Sequence, residues 1–180
     1  MNSLQIFLLN SAKMGVPQRR ERTFFIARRK DLKIPKVVLN FNEKPITYGE
    51  FKDTKFKLLH KGTDEYKYWH LKKSSDTSLR DAILRETGKN KRFNEKYIKD
   101  NMVCGTIVSK GKILRFDFPA KISDKDIITI QTFPQDYNFC GQNVQYVCGM
   151  SVPPIMMKKL AEQIYMQIFK NMRWDIVKNR

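Results

Sequence analysis

The stretch Gly15-Val16-Pro17-Gln18-Arg19-Arg20-Glu21-Arg22-Thr23-Phe24-Phe25-Ile26-Ala27 decides the reading of this chain. Gly15 and Pro17 punctuate a polar loop, and the aromatic and β-branched run after it reads as a strand. The apolar run Leu4–Leu9, broken by Gln5, reads as its neighbour across the loop. Side chains alternate in an extended segment, so Gln18, Arg20 and Arg22 share one face while Arg19 and Glu21 share the other. A guanidinium is permanently charged and offers fixed donors that reach a carbonyl or a phosphate in defined geometry. The face carrying Gln18, Arg20 and Arg22 is therefore predicted to point into a site. The competing reading is a solvated basic loop, which an isolated Arg-Arg-Glu-Arg commonly is.

Beyond Asp31 the character changes. As far as about Asp117 the segments are short and mixed, with turn signals at Pro35, Pro45, Gly49, Gly62 and Gly88. Ser78 to Arg85 reads as a short helix with Ser78 as its N-cap. Ser123-Asp124-Lys125-Asp126 ahead of Ile127, Ile128 and Ile130 gives a capping-box start suited to the helix dipole, and Pro134 closes that helix early. Pro153-Pro154 opens a longer terminal helix. Met157, Leu160, Ala161, Ile164, Tyr165, Ile168, Phe169 and Met172 recur there at spacings of three and four, and Lys158, Lys159, Glu162, Gln163 and Lys170 form the polar face. Neither internal repeats nor low-complexity segments interrupt the chain.

A length of 180 residues with 41% hydrophobic and 12% aromatic content suits one domain, or a small domain plus part of another. Lys+Arg 35 against Asp+Glu 18 gives a net charge of +17, spread along the chain, so nucleic acid is the first partner to consider; simple solubility is the bland alternative. Cys104, Cys140 and Cys148 form no close ligand pair, and His60 and His70 have no cysteine beside them, so neither a disulfide framework nor a metal site is expected. The run at Leu4–Leu9 is too short for a signal segment or a membrane span, so no membrane partner and a cytoplasmic location are expected.

Two further blocks lie downstream in order: Ile127-Ile128-Thr129-Ile130-Gln131-Thr132-Phe133-Pro134-Gln135-Asp136-Tyr137-Asn138-Phe139, and Tyr146-Val147-Cys148-Gly149-Met150-Ser151-Val152-Pro153-Pro154. Together with the Gly15–Ala27 block they resemble the C-terminal blocks of DNA (cytosine-5) methyltransferases. In that family the first is written Gln-x-Arg-x-Arg after a Gly-Val-Pro turn, the second Leu-Gln-x-Phe-Pro-Asp-x-Phe, the third Gly-Asn-x-Val-Pro-Pro. Met150 stands where the family commonly has Asn, and Thr129-Ile130 where it often has Arg-Leu. The resemblance implies that Arg22 helps hold a flipped cytosine, with Arg20 and Gln18 supporting the catalytic network. It implies that Gly149, Ser151 and Val152 line part of an S-adenosyl-L-methionine pocket, and that double-stranded DNA is the partner. The setting it implies is DNA modification, as in a restriction-modification system. The implied fold is α/β: edge strands and the terminal helix of a Rossmann-like methyltransferase domain, plus a small mixed target-recognition domain with short strands. Residues 1–33 carry the strand pair, 34–118 the recognition domain, and 119–180 the return to the catalytic domain. In Cys104–Lys112, β-branched residues beside two glycines read as a strand and loop near a phosphate backbone, with Lys110 and Lys112 as DNA-binding candidates.

The family reaction also needs a cysteine nucleophile after proline, a Glu-Asn-Val segment and a glycine-rich cofactor loop. No cysteine here follows a proline, Asn143-Val144 follows Gln142, and no early strand leads into a glycine-rich turn. Cys148, inside Tyr146-Val147-Cys148, reads as a small packed residue. The expectation is a C-terminal fragment or subunit, inactive until an N-terminal half bearing the Pro-Cys motif joins it. Without that half, Phe24, Ile26, Leu160, Ile164 and Ile168 are expected to leave an apolar patch uncovered. A stand-alone DNA-binding module and a truncated relic are the alternatives.

Overall fold

A computed structural model describes residues 3–29, 31 and 34–170. β1 (Ser3–Asn10) and β2 (Glu21–Arg28) form the antiparallel pair expected from the opening stretch, in a register running from Ser3 opposite Arg28 to Asn10 opposite Glu21. A second sheet has four strands, β3 (Lys57–Leu58), β4 (Glu95–Ile98), β5 (Lys112–Arg115) and β6 (Ala120–Lys121), in the order β3-β6-β5-β4. β5 and β4 are parallel, and the other pairings are antiparallel. Helices α1 (Asp64–His70) and α2 (Leu79–Thr87) precede β4 in sequence, and α3 (Asp124–Gln131), α4 (Val144–Met150) and α5 (Pro154–Ile164) close the chain. The last of these runs into a π-turn at Tyr165–Phe169.

Both capped helices appear where their sequence signals place them. At α3 the Ser123 hydroxyl accepts from the Asp126 N–H at 3.0 Å, and the Asp126 carboxylate accepts from the Ser123 N–H at 3.1 Å. Asp126 is buried because it also accepts from the Tyr48 hydroxyl at 3.0 Å and the Asp53 N–H at 2.8 Å, tying α3 to the segment before β3. The helix ends at Gln131, with Thr132 left-handed at φ 62°, two residues before Pro134. At α2, Ser78 is the extended N-cap and the Asp81 carboxylate accepts from its N–H at 3.0 Å.

Three apolar clusters hold the molecule. Met14, Val16 and Met156 join the β1–β2 loop to α5, and Leu59, Trp69, Leu79, Ile83 and Leu114 lie between α1, α2 and the four-stranded sheet. The third draws on Tyr48, Ile98 and Ile107 as well as Ile122, Ile127, Ile130 and Cys148, so residues from 34–118 and from 119–180 share one core. The lead-in to the middle segment is stitched by side chains. The Gln5 amide accepts from Val37 N–H (3.0 Å) and donates to its carbonyl (2.9 Å), and Gln167 makes the same pair of bonds with Val38 at 2.8 Å each.

Three expectations are corrected. The uncovered face of the strand pair carries Leu4, Ile6, Leu8 and Phe25; Phe24 and Ile26 lie on the other, half-buried face, and Leu160 is buried. On α5 the buried methionine is Met156, one residue before Met157, which is exposed together with Tyr165. Met172 lies outside the described residues. Residues 104–111 form a loop with one bridge, Gln18 to Cys104, and the strand starts only at Lys112. The two glycines there leave the β-branched residues too little uninterrupted length to pair.

Candidate functional site

The loop between β1 and β2 is shaped from within. Gly15, at φ 75°, closes the 3-10 turn Ser11–Met14. The buried Ser11 hydroxyl donates to the Gln18 carbonyl at 2.5 Å and accepts from the Arg20 N–H at 3.0 Å. Gln18 and Arg20 thereby turn inward, while Arg19 stays exposed, as alternation requires.

Gln18 is fully buried and uses both ends of its amide. Its nitrogen donates to Gln131 Oε1 at 2.6 Å and its oxygen accepts from the Ile107 N–H at 3.0 Å. Gln131 donates onward to the Ser151 carbonyl (3.1 Å) and hydroxyl (2.9 Å), and that hydroxyl donates to the Cys148 carbonyl at 2.9 Å. Arg20, 1% exposed, bridges two carbonyls, Ile107 O and Gly149 O, each at 2.8 Å. Burial, and then the neighbouring Arg22 charge, lower its pKa to about 10, so it remains cationic at neutral pH. Its Nε is buried without a partner, and no carboxylate pairs with it among the described residues. Gly149 presses against the backbone beyond Ile107: a Cβ there would lie 2.3 Å from Ser109 N and 2.5 Å from the Val108 carbonyl carbon. The result is a polar pin joining the β1–β2 loop, the 104–109 loop, the end of α3 and the α4–α5 junction.

The sequence-predicted residues divide accordingly. Gln18 and Arg20 come together with Gly149 and Ser151, by way of Gln131. Arg22 sits half-buried opposite Leu9; one Nη donates to the Glu21 carbonyl at 2.7 Å, and it enters no ion pair among the described residues. Lys110 is exposed, whereas Lys112 is half-buried against Glu65, and burial followed by the nearby Lys121 push its pKa down. Glu65 also meets Arg92 at 3.0 Å and Lys121 at 3.7 Å. No local pattern announced this cluster, since its members lie on separate elements. The Gln18–Gln131 bond likewise carries no local signal, since its partners lie 113 residues apart.

Gly149, Ser151 and Val152 are engaged inside the chain. The Gly149 carbonyl is held by Arg20, the Ser151 hydroxyl both donates and accepts, and Val152 packs on the Met14–Val16–Met156 cluster. By themselves they do not make a nucleoside-binding pocket. Burial pushes the Cys104 thiol up to about 12 and the Cys148 thiol up to about 11, so neither is a ready thiolate. Among the described residues no group of His, Cys, Asp or Glu is placed to hold a metal ion, and no helix is long and apolar enough to cross a membrane.

Several solved structures share this arrangement over 92% of the chain. A prophage-encoded E. coli protein assigned as a DNA modification methyltransferase superposes with a TM-score of 0.58 at 16% identity. The Entamoeba histolytica methyltransferase EhMeth gives 0.55 at 14%, and the S. pombe Dnmt2 methyltransferase 0.53 at 10%. The present chain spans 61%, 54% and 56% of their respective lengths. At these identities the likeness establishes the fold, which is α/β with Rossmann-like methyltransferases as its structural neighbours. No curated protein sequence matches the chain. The family model for the C-5 cytosine-specific DNA methylase matches residues 3–166, nearly the whole described length, and the chain belongs to that family.

Proposed function

We propose that these 180 residues serve a DNA (cytosine-5) methyltransferase as the part that engages double-stranded DNA, selects the target and steadies the flipped cytosine. The cysteine nucleophile and most of the S-adenosyl-L-methionine site come from a catalytic half outside this sequence. Family membership implies use of that cofactor as methyl donor.

The observation that carries the reading is the outer face of the strand pair. Leu4, Ile6, Leu8 and Phe25 are 58%, 60%, 68% and 66% exposed and stand side by side in the register. A contiguous apolar face of this kind is one that monomeric proteins cover, and the rest of a catalytic sheet with its helices is the cover the family fold supplies. The buried, protonated thiols of Cys104 and Cys148 support the same division of labour.

Within this reading Arg22 has the catalytic role. Its permanently charged fork, held by the Glu21 carbonyl alone among the described contacts, has donors left for the carbonyl of an extruded base. Arg20 and Gln18 are positioning residues: they fix the loop that leads into β2, where Arg22 stands, and spend their own donors on protein carbonyls and amides. Residues 34–118 act as the target-recognition domain, with Lys110 available to a phosphate. The Gly149 carbonyl and the Ser151 hydroxyl and carbonyl are already engaged and Val152 is packed, so the part of these three residues is to shape one wall of the completed cofactor site.

Co-purification with a complementary N-terminal half, followed by methyl transfer to DNA, tests the proposal. A soluble paired complex is expected to methylate, and Arg22→Ala in it is expected to lose turnover by about a hundredfold or more while DNA affinity falls only severalfold. A stable complex without activity removes the proposal. Sequence-selective DNA binding by the chain alone, with no complex formed, favours a recognition module without chemistry.

A further inference from the structure

Antiparallel strands exchange main-chain bonds at every second residue pair, each partner giving its N–H and accepting with its carbonyl. The β1–β2 register ends with Asn10 opposite Glu21, and one step beyond it Ser11 faces Arg20. There the Ser11 N–H donates to the Arg20 carbonyl at 3.0 Å, as such a pair requires. The return bond is built differently. The Ser11 carbonyl is turned into the 3-10 turn, where it accepts from the N–H groups of Gly15 and Val16, the latter at 3.3 Å. The Ser11 hydroxyl takes its place, accepting from the Arg20 N–H at 3.0 Å while donating to the Gln18 carbonyl at 2.5 Å. A side chain thus serves as the missing main-chain acceptor and carries the pairing one step past the end of β1.

This step governs Arg22. Bonded pairs recur every second residue, so the pair that follows Ser11–Arg20 is Leu9–Arg22. The Arg22 side chain has one bond among the described residues, to the adjacent Glu21 carbonyl, and its fork therefore follows the main chain. On its other side the approach to β2 is held by the recognition segment: the Arg19 N–H donates to the Cys104 carbonyl at 2.8 Å, and Gln18 and Arg20 bond the main chain of Ile107. Ser11 supplies the hold from β1. Ser11 and Gln18 are fully buried and Arg20 is 1% exposed, so without the hydroxyl the Arg20 N–H and the Gln18 carbonyl have neither water nor another partner among the described residues. Buried main-chain groups do not stay unpaired, and the segment would shift to satisfy them.

We infer that Ser11 is a positioning residue for methyl transfer: its hydroxyl sets where β2 begins and, through that, where Arg22 stands relative to the extruded base. The inference deepens the catalytic role proposed for Arg22 and rests on it. Displacing a group that touches substrate by about 1 Å costs about a hundredfold in rate, whereas the surfaces that bind the rest of the DNA are left in place.

The test is a double-mutant cycle on turnover in the paired enzyme, with unmethylated duplex DNA as substrate. Ser11→Ala is expected to lower kcat about ten- to a hundredfold and to leave the half-saturating DNA concentration within about twofold. In an Arg22→Ala background the same change is expected to cost less than about twofold more, because Ser11 acts through the guanidinium already removed. A merely structural serine lowers turnover equally in both backgrounds. Should Ser11→Ala fail to pair with the catalytic half, Ser11→Cys, close in size and a weak donor and acceptor, enters the same cycle with the same direction expected. Unchanged kcat, equal losses in both backgrounds, or a loss confined to DNA affinity overturns the inference and leaves the role of Arg22 standing. Undiminished turnover in Arg22→Ala removes that role, and the inference with it.

Discussion

Replacing Gly149 by alanine sets two opposed effects against each other. Gly149 lies within α4, where alanine is favoured over glycine by about 1 kcal/mol through backbone entropy. Its φ is not among the positive values, so the backbone conformation itself accepts a side chain. Against that gain stands the space: the new Cβ would lie 2.3 Å from Ser109 N and 2.5 Å from the Val108 carbonyl carbon, both backbone atoms that cannot swing aside. Relief requires the 108–109 loop and α4 to separate by about an ångström, and overpacking of this kind costs about 1–3 kcal/mol. Separation also strains the Arg20 bridge between Ile107 O and Gly149 O, whose charge-assisted bonds contribute about 1.5–3 kcal/mol each. The clash and the bridge outweigh the helix gain, and a net destabilisation of about 2–4 kcal/mol is expected. Urea unfolding followed by circular dichroism, on the chain in whichever state it purifies stably, measures it. Gly105→Ala is the control, since a Cβ there meets nothing within 4 Å. A midpoint for Gly149→Ala at or above that of the parent would refute the reasoning.

Three other expected outcomes concern Arg20, the cysteines and Asp117. Arg20→Lys is expected to destabilise about as much as Arg20→Met, by roughly 2 kcal/mol in urea unfolding, because one ammonium cannot span both carbonyls and the charge has no counter-ion to lose; full stability in the lysine variant would show that charge, not the bridge, matters. A thiol reagent at pH 8 is expected to modify Cys140 alone, since it is the exposed cysteine while burial holds Cys104 and Cys148 protonated; mass spectrometry finding an early adduct at either of the latter contradicts this. The hydrogen bond from Arg115, followed by its charge and that of Lys52, depresses the Asp117 pKa from 3.8 to about 2. A depressed carboxylate adds stability above its unfolded pKa and loses it as pH falls through the folded one, so acid unfolding between about pH 4 and 2 should be shallower in Asp117→Asn. Asp117 is nearly half exposed, so that difference should stay below about 1 kcal/mol.

The features the sequence revealed are those written locally. A breaker-flanked pair of apolar runs gave β1 and β2, Ser123 with Asp126 gave α3, and Pro153-Pro154 gave the start of α5. Which face of a strand is covered is not written locally when both are apolar. In β1, Leu4, Ile6 and Leu8 alternate with Phe7 and Leu9, and only the packing of Phe24, Phe41 and α5 on one side shows which set is buried. Met156 and Met157 pose the same ambiguity one residue apart on α5. At the candidate site, alternation alone grouped Gln18, Arg20 and Arg22 correctly. It could not reveal that two of them are spent on holding the chain together, because their partners Gln131 and Gly149 lie 113 and 129 residues away.

The stitches at Gln5, Gln167, Gln18 and Arg20 have one thing in common: they grip the middle segment by its main chain. Gln5 and Gln167 hold the amide and carbonyl groups of Val37 and Val38 at its entry, while Gln18 and Arg20 hold the N–H and C=O of Ile107 near its exit. Such grips are indifferent to which side chains occupy positions 37, 38 and 107. The sockets therefore leave side chains at those points free of their hydrogen bonding, and it is the shared core of Tyr48, Ile98 and Ile107 with Ile122, Ile127 and Ile130 that fixes the inner residues of the span, while its outer surface stays open to change.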